Sequence, residues 1–272
     1  MKLLRMIRRL ILLLIVFGFI GLSIYTYFYS PNDYQFKTYT YVNSSINSKL
    51  NGLKIAYISD INLSDKKSME RFQKIIKELN ENPFDMIFFG GDLYNDSIFD
   101  GKTVSETLKS IDCKYGKFAI LGEKDTSSSV EITQILNNGG FEVLNNEMRT
   151  LYYQDTSLTL IACDEKTDIS QFETPEKSIS ICLTHQPDSF SNHKNKINLQ
   201  LSGHSYGGSF YIPYYGSLNP NEGAKTYNHG RYDEGNSSLI VSNGFHGPAS
   251  FPYKLFSRNE VNFIILKTSS NT

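Results

Sequence analysis

Tryptophan is absent from the 272 residues, and cysteine and histidine are scarce, at three and five. Cys113, Cys163 and Cys182 are odd in number and lack metal-type spacing, so no disulfide framework follows. Cys163 and Cys182 fall in apolar, strand-like runs, where a thiol is a small buried hydrophobe. Net charge is also small: 27 basic residues against 28 acidic ones give a formal charge of -1. No basic stretch runs along the chain beyond the N-terminus, so no nucleic-acid partner is expected. Between Lys54 and Leu266 there is no linker-like segment, internal repeat or low-complexity tract. That stretch therefore reads as one domain, large enough to bury a core without staples.

What the chain does have is one long apolar run. Lys2, Arg5, Arg8 and Arg9 precede 19 uncharged residues, Leu10 to Phe28. As a helix they would extend about 28 Å, close to the hydrocarbon thickness of a bilayer. The basic flank predicts a cytoplasmic amino end and an extracellular main domain, a single-pass cell-membrane protein. Tyr25, Tyr27 and Tyr29 would lie at the outer interface. An uncleaved anchor is favoured over a signal peptide, because the run is long for an h-region and no small-x-small site follows Phe28. Arg8-Arg9 adds only a weak case for twin-arginine export. Residues 1–30 are thus flank and anchor, 31–50 a stalk or edge segment, and 51–268 the main domain.

Periodicity outlines that domain. Apolar strands are expected at Leu53–Ser59, Met86–Phe89 and Lys117–Leu121. Helices are expected at Lys66–Leu79, around Thr103–Ile111 and near Ser129–Asn137. From Phe141 the texture becomes strand-rich, through Thr150–Tyr153, Leu158–Cys163, Ile179–Leu183, Ile197–Leu201, Ser238–Ser242 and Val261–Leu266. A βαβαβα opening followed by many strands predicts two packed sheets flanked by helices, an α/β sandwich. Tyr206 to Asn236 reads as a long loop.

Six short segments stand out, most of them after these runs: Ser59-Asp60-Ile61-Asn62, Gly90-Gly91-Asp92, Gly122-Glu123-Lys124-Asp125, Thr184-His185-Gln186-Pro187, Ser202-Gly203-His204-Ser205-Tyr206 and Asn243-Gly244-Phe245-His246. Asp60 and Asp92 each end a strand, and imidazoles arrive from later strands; such a set suits divalent cations. The order resembles the calcineurin-like metallophosphoesterase superfamily, and within it the small membrane-associated or exported bacterial branch. Its pattern is Asp-x-His, Gly-Asp-x-x-Asp/Asn, Gly-Asn-His-Asp/Glu, a lone His and Gly-His-x-His. Here the series reads Asp60-Ile61-Asn62, Gly91-Asp92-Leu93-Tyr94-Asn95, Gly122-Glu123-Lys124-Asp125, His185 and Gly203-His204-Ser205-Tyr206. Gly207-Gly208 and Ser242-Asn243-Gly244 also fit that branch. The resemblance covers about Leu53 to Leu266.

The resemblance implies a two-metal phosphoester hydrolase, and this chain departs from it unevenly. The positions implied for the first metal are Asp60, Asn62, Asp92 and Tyr206, so both imidazoles are replaced. Those for the second are Asp92, Glu123, His185 and His204, four competent donors. Lys124 stands at the protonating His position, where its ammonium offers a proton or a phosphate contact and offsets the charge of a missing cation. Tyr206 becomes a packing or substrate-stacking aromatic, and Asn95 a substrate contact. His193, His229 and His246 are given surface or loop roles. The cofactor expected is one divalent ion (Mn, Fe or Zn), with an empty site as the alternative. The function expected is a membrane-anchored phosphoesterase with impaired or altered hydrolysis. The competing function is an inactive extracellular binding module, a pseudoenzyme. Its ligand would be a phosphorylated small molecule, lipid, envelope component or protein partner.

Overall fold

The computed structural model describes residues 2–175, 178–247 and 252–269. Helix α1 (Lys2–Ile24) continues in helical turns to Asn32. It is the one helix among the described residues long and apolar enough to cross a membrane. The chain then enters β1 (Tyr34–Asn43) and β2 (Lys54–Ile58). Helix α2 (Lys66–Asn80) follows, and its start is set by a capping box in which Asp65 and Ser68 bond each other's backbone. Its apolar stripe, Met69, Phe72, Ile75, Ile76 and Leu79, is buried as the spacing predicts. Next come β3 (Met86–Phe89), α3 (Gly101–Lys109), β4 (Lys117–Ala119), α4 (Ser129–Asn138) and β5 (Glu142–Val143).

The second half is strand-rich: β6 (Glu147–Tyr153), β7 (Thr156–Ala162), β8 (Ser180–Leu183), the short α5 (Phe190–His193) and β9 (Leu199–Ser202). Then come β10 (Tyr211–Ile212), β11 (Gly216–Ser217), β12 (Gly230–Glu234), β13 (Ser237–Val241) and β14 (Asn259–Thr268). One mixed sheet has the order β1-β14-β2-β3-β4-β5 and the other β12-β13-β9-β8-β7-β6. The architecture is an α/β sandwich with flanking helices.

Strand alternation builds the layers. In β2, Ile55 and Tyr57 face the core between the sheets while Ala56 and Ile58 face the helices. β3 repeats this with Met86 and Phe88 against Ile87 and Phe89. Strands covered on both faces carry no polar alternation, which is why these runs are uniformly apolar. Of the two readings of residues 31–50, stalk or edge segment, the edge segment holds; the loop expected after Tyr206 needs amendment. Residues 34–43 form an edge strand parallel to β14, in register from Tyr34↔Asn259 to Asn43↔Thr268. The span read as one loop, Tyr206 to Asn236, contains β10, β11 and β12, because its Gly and Pro residues punctuate strands too short for periodicity to reveal.

Candidate metal centre

β2, β3 and β4 run parallel in one sheet, as do β8, β9 and β13 in the other. Their carboxyl ends converge, so the loops bearing Asp60, Asp92, Glu123, Lys124, His185 and His204 are neighbours. The backbone there is unusual: Asp60, Asn62, Asp92, His204 and Tyr206 all have positive φ, between 51° and 65°. Asn, Asp and His tolerate that region best, and a Tyr in it is held by its surroundings.

Close backbone approach depends on glycine at two places. A Cβ on Gly122 would lie 2.6 Å from the Asp92 amide nitrogen, and one on Gly203 would lie 2.6 Å from Ser59 Oγ. Asp125, buried below, accepts N–H bonds from Asp92 (2.8 Å), Leu93 (3.0 Å) and Gly122 (2.9 Å), which locks these two loops together. Burial and the adjacent Asp92 push its carboxyl up to about 6. This clamp had no role assigned from sequence, although Asp125 stands at the Asp/Glu place of the third motif.

The two imidazoles are oriented in the same way. His185 Nδ1–H donates to the Gly90 carbonyl at 2.7 Å, and His204 Nε2–H donates to the Glu222 carbonyl at 2.6 Å. A carbonyl can only accept, so when the ring is neutral its other nitrogen carries the lone pair that a cation would take. Those nitrogens, His185 Nε2 and His204 Nδ1, are buried without a hydrogen-bond partner, as is Asp92 Oδ2. His185 Nε2 lies 3.4 Å from Asp92 Oδ2, and His204 Nδ1 lies 3.5 Å from Glu123 Oε1. Two ligand atoms each ~2.1 Å from one cation at a tetrahedral angle are ~3.4 Å apart. The Asp92–His185 pair therefore has the spacing of two ligands on one divalent cation, as does the Glu123–His204 pair, with both rings fixed by backbone carbonyls. Asp60, Asp92 and His185 also present ligand atoms all within 4.8 Å of one another.

The opposite side is filled by an ammonium. Lys124 Nζ donates to Asn62 Oδ1 and to Tyr206 Oη, each at 2.6 Å, and lies 3.7 Å from Asp92 Oδ2. Tyr206 stays a neutral phenol, because burial and the nearby carboxylates push its hydroxyl far up. Both Asp60 oxygens share the His204 N–H, at 3.1 and 3.0 Å. Burial pushes the Asp92 carboxyl up, but His185 and Lys124 outweigh it and hold it at about 2. Burial likewise opposes charge on His185, yet Asp92 raises it to about 10.

Asn95 bonds Leu63 and Asp96 rather than the cluster. His193, given a surface or loop role, is buried against Cys182 and Gln200, since α5 packs onto β8 and β9. Beside Glu123 and His185 opens a cleft of about 410 Å³, walled by Leu144, Asn145, Asn146 and Lys166.

No protein-family model matches the chain. An uncharacterized metallophosphoesterase of Bacillus subtilis, YkuE, is 28% identical over 260 residues, covering 90% of each chain. Over most of its length the chain is similar in sequence to proteins named metallophosphoesterases. An uncharacterized metallophosphoesterase of Helicobacter pylori is 27% identical over 79% of this chain and 60% of its own length. A zebrafish (Danio rerio) transmembrane protein with a metallophosphoesterase domain is 23% identical over 80% of this chain, which spans 54% of that protein. The unpartnered atoms Asp92 Oδ2, His185 Nε2 and His204 Nδ1 belong to residues that the resemblance assigns to the second metal, Asp92 being assigned to the first as well. Asn62 and Tyr206, bonded to Lys124, fall at first-metal positions.

Proposed function

We propose that this chain is a membrane-anchored phosphoester hydrolase working with one divalent cation, held by Asp92, Glu123, His185 and His204. The observation that carries the reading is the pair of buried imidazole nitrogens, each beside a carboxylate while the opposite ring nitrogen is tied to a backbone carbonyl. A bound cation supplies Lewis-acid polarisation of a phosphoryl oxygen and a nucleophilic water. Lys124 takes the place of the second charge. Its ammonium, held by Asn62 and Tyr206, is positioned to donate to a phosphoryl oxygen or to the leaving oxygen as the P–O bond breaks. The cleft beside Glu123 and His185 accommodates the rest of the ester, a phosphorylated small molecule or an envelope component. The main domain lies outside the cytoplasmic membrane, with the basic residues before Leu10 inside.

Purified full-length protein, loaded in turn with Mn, Fe or Zn, tests this by elemental analysis and by release of p-nitrophenol from its phosphate mono- and diester. One equivalent of metal with metal-dependent release is expected. Two equivalents would refute the assignment of Lys124. One equivalent with tight phosphate binding and no turnover would favour the binding-module reading, which the tethered ammonium also supports.

A further inference from the structure

Large hydrophobic side chains exposed on the described part of the domain are unevenly placed. Beyond the N-terminal helical segment, Val42, Val130 and Tyr152 are scattered, whereas Ile212, Tyr214, Tyr215, Leu218 and Phe256 come together. Tyr214 is fully exposed and Tyr215 is 77% exposed, at the tip of the β10–β11 hairpin. No charged side chain occurs from residue 205 to residue 221. A soluble surface rarely leaves uncharged aromatic and aliphatic groups grouped in this way without an occupant.

The hairpin is joined to the far end of α1 by a continuous set of bonds. Leu218 N–H donates to Phe210 O at 3.0 Å, and Tyr211 N–H donates to Leu255 O at 3.0 Å. Leu255 N–H returns to Ser209 O at 2.9 Å, and the adjacent Lys254 N–H donates to Ser30 Oγ at 2.7 Å. Tyr27 stacks on Tyr253 with ring centroids 5.0 Å apart. Leu22 and Tyr25 of the helical segment line one crevice with Pro213, Leu255 and Phe256. The apolar run ends at Phe28, and a helix rises about 1.5 Å per residue. The crevice therefore lies about 5–9 Å below the level of Phe28, within the depth at which interfacial side chains rest in a bilayer.

We propose that the β10–β11 hairpin and Phe256 form a rim that rests in the interfacial layer of the lipid leaflet on the domain's side. Tyrosine suits that layer, since its ring prefers the acyl boundary and its hydroxyl the headgroups. The rim also fixes where the metal centre sits. Ser217 Oγ donates to Gly208 O at 2.9 Å, and Gly208 is two residues from Tyr206, so the site is held close to the lipid surface rather than at the distal end of the domain. The inference stands whichever way the chain is oriented, and whether or not the site hydrolyses anything.

The absence of tryptophan makes a clean test available. Full-length Tyr215→Trp, Leu218→Trp and Tyr152→Trp, each with a single indole, would be reconstituted into phosphatidylcholine–phosphatidylglycerol vesicles with and without brominated acyl chains. Tyr152 is exposed on β6, in the other sheet, and serves as the control. Emission of Tyr215→Trp and Leu218→Trp should fall about twofold with brominated lipid, and that of Tyr152→Trp by far less. If one rim variant fails to fold, the other reports the same contact. Equal quenching at all three positions would overturn the proposal. So would a blue-shifted but unquenched indole at the rim, the result expected if a second copy of the chain or another protein covered the patch.

Discussion

Replacing Lys124 with methionine removes one charge while keeping most of the side chain's length and its apolar stem. The ammonium lies 3.7 Å from Asp92 Oδ2, and Asp92 is fully buried while the lysine side chain is 18% exposed. Coulomb attraction at that separation is about 4–5 kcal/mol at an effective dielectric of about 20, much of it offset by desolvation. The bonds at 2.6 Å to Asn62 Oδ1 and Tyr206 Oη are lost as well. Breaking a buried charged pair by removing one partner costs about 3–5 kcal/mol, and the partial exposure places Lys124→Met near ~3. For a domain of this size that lowers Tm by about 6–12 °C. Tyr206→Phe alone should cost about 1 kcal/mol. Because much of that loss is already contained in Lys124→Met, the double variant should fall short of the sum by up to about 1 kcal/mol. Urea unfolding of the full-length protein in detergent, followed by circular dichroism, measures all four corners of the cycle. Additivity within about 0.5 kcal/mol would mean that the ammonium is not coupled to the phenol, and the charge-replacement argument would fail.

Metal affinity should rise with pH. His185 is held protonated up to about 10, while coordination requires the neutral ring, so each cation bound displaces one proton. Competition with a chelating dye should show about a tenfold tighter Kd per pH unit between 6 and 9, and a flat profile would exclude His185 as a ligand. The triple variant Asn62→His, Lys124→His, Tyr206→His should raise bound metal from one equivalent to two and speed diester hydrolysis, whereas any one change alone should do little. Gly122→Ala must displace the Asp92 backbone, since its Cβ would lie 2.6 Å from that amide nitrogen. It should therefore lower metal content in elemental analysis and cost more than about 2 kcal/mol, while Gly52→Ala, at a turn with open space, should leave metal content unchanged.

Much of this protein was legible in its residues. Apolar runs such as Met86–Phe89 announce strands buried on both faces, and the stripe from Met69 to Leu79 announces a helix, because burial leaves its period in the sequence. The residues just beyond those runs, Asp60, Asp92, His185 and His204, were marked as a group by order and position, since parallel strands deliver their carboxyl ends to one edge. What sequence could not supply is whatever depends on a distant backbone atom. The lone pair of His185 is set by a carbonyl 95 residues away, and that of His204 by one 18 residues away. Lys124 is tied to Asn62 and Tyr206 across 62 and 82 residues. β1 found its place only by pairing with β14, some 225 residues on, and the hairpin's position relative to α1 rests on bonds through Ser30 and Leu255. Local patterns record which face of a segment is buried. Tautomer, charge partner and edge pairing are decided only when the chain closes on itself.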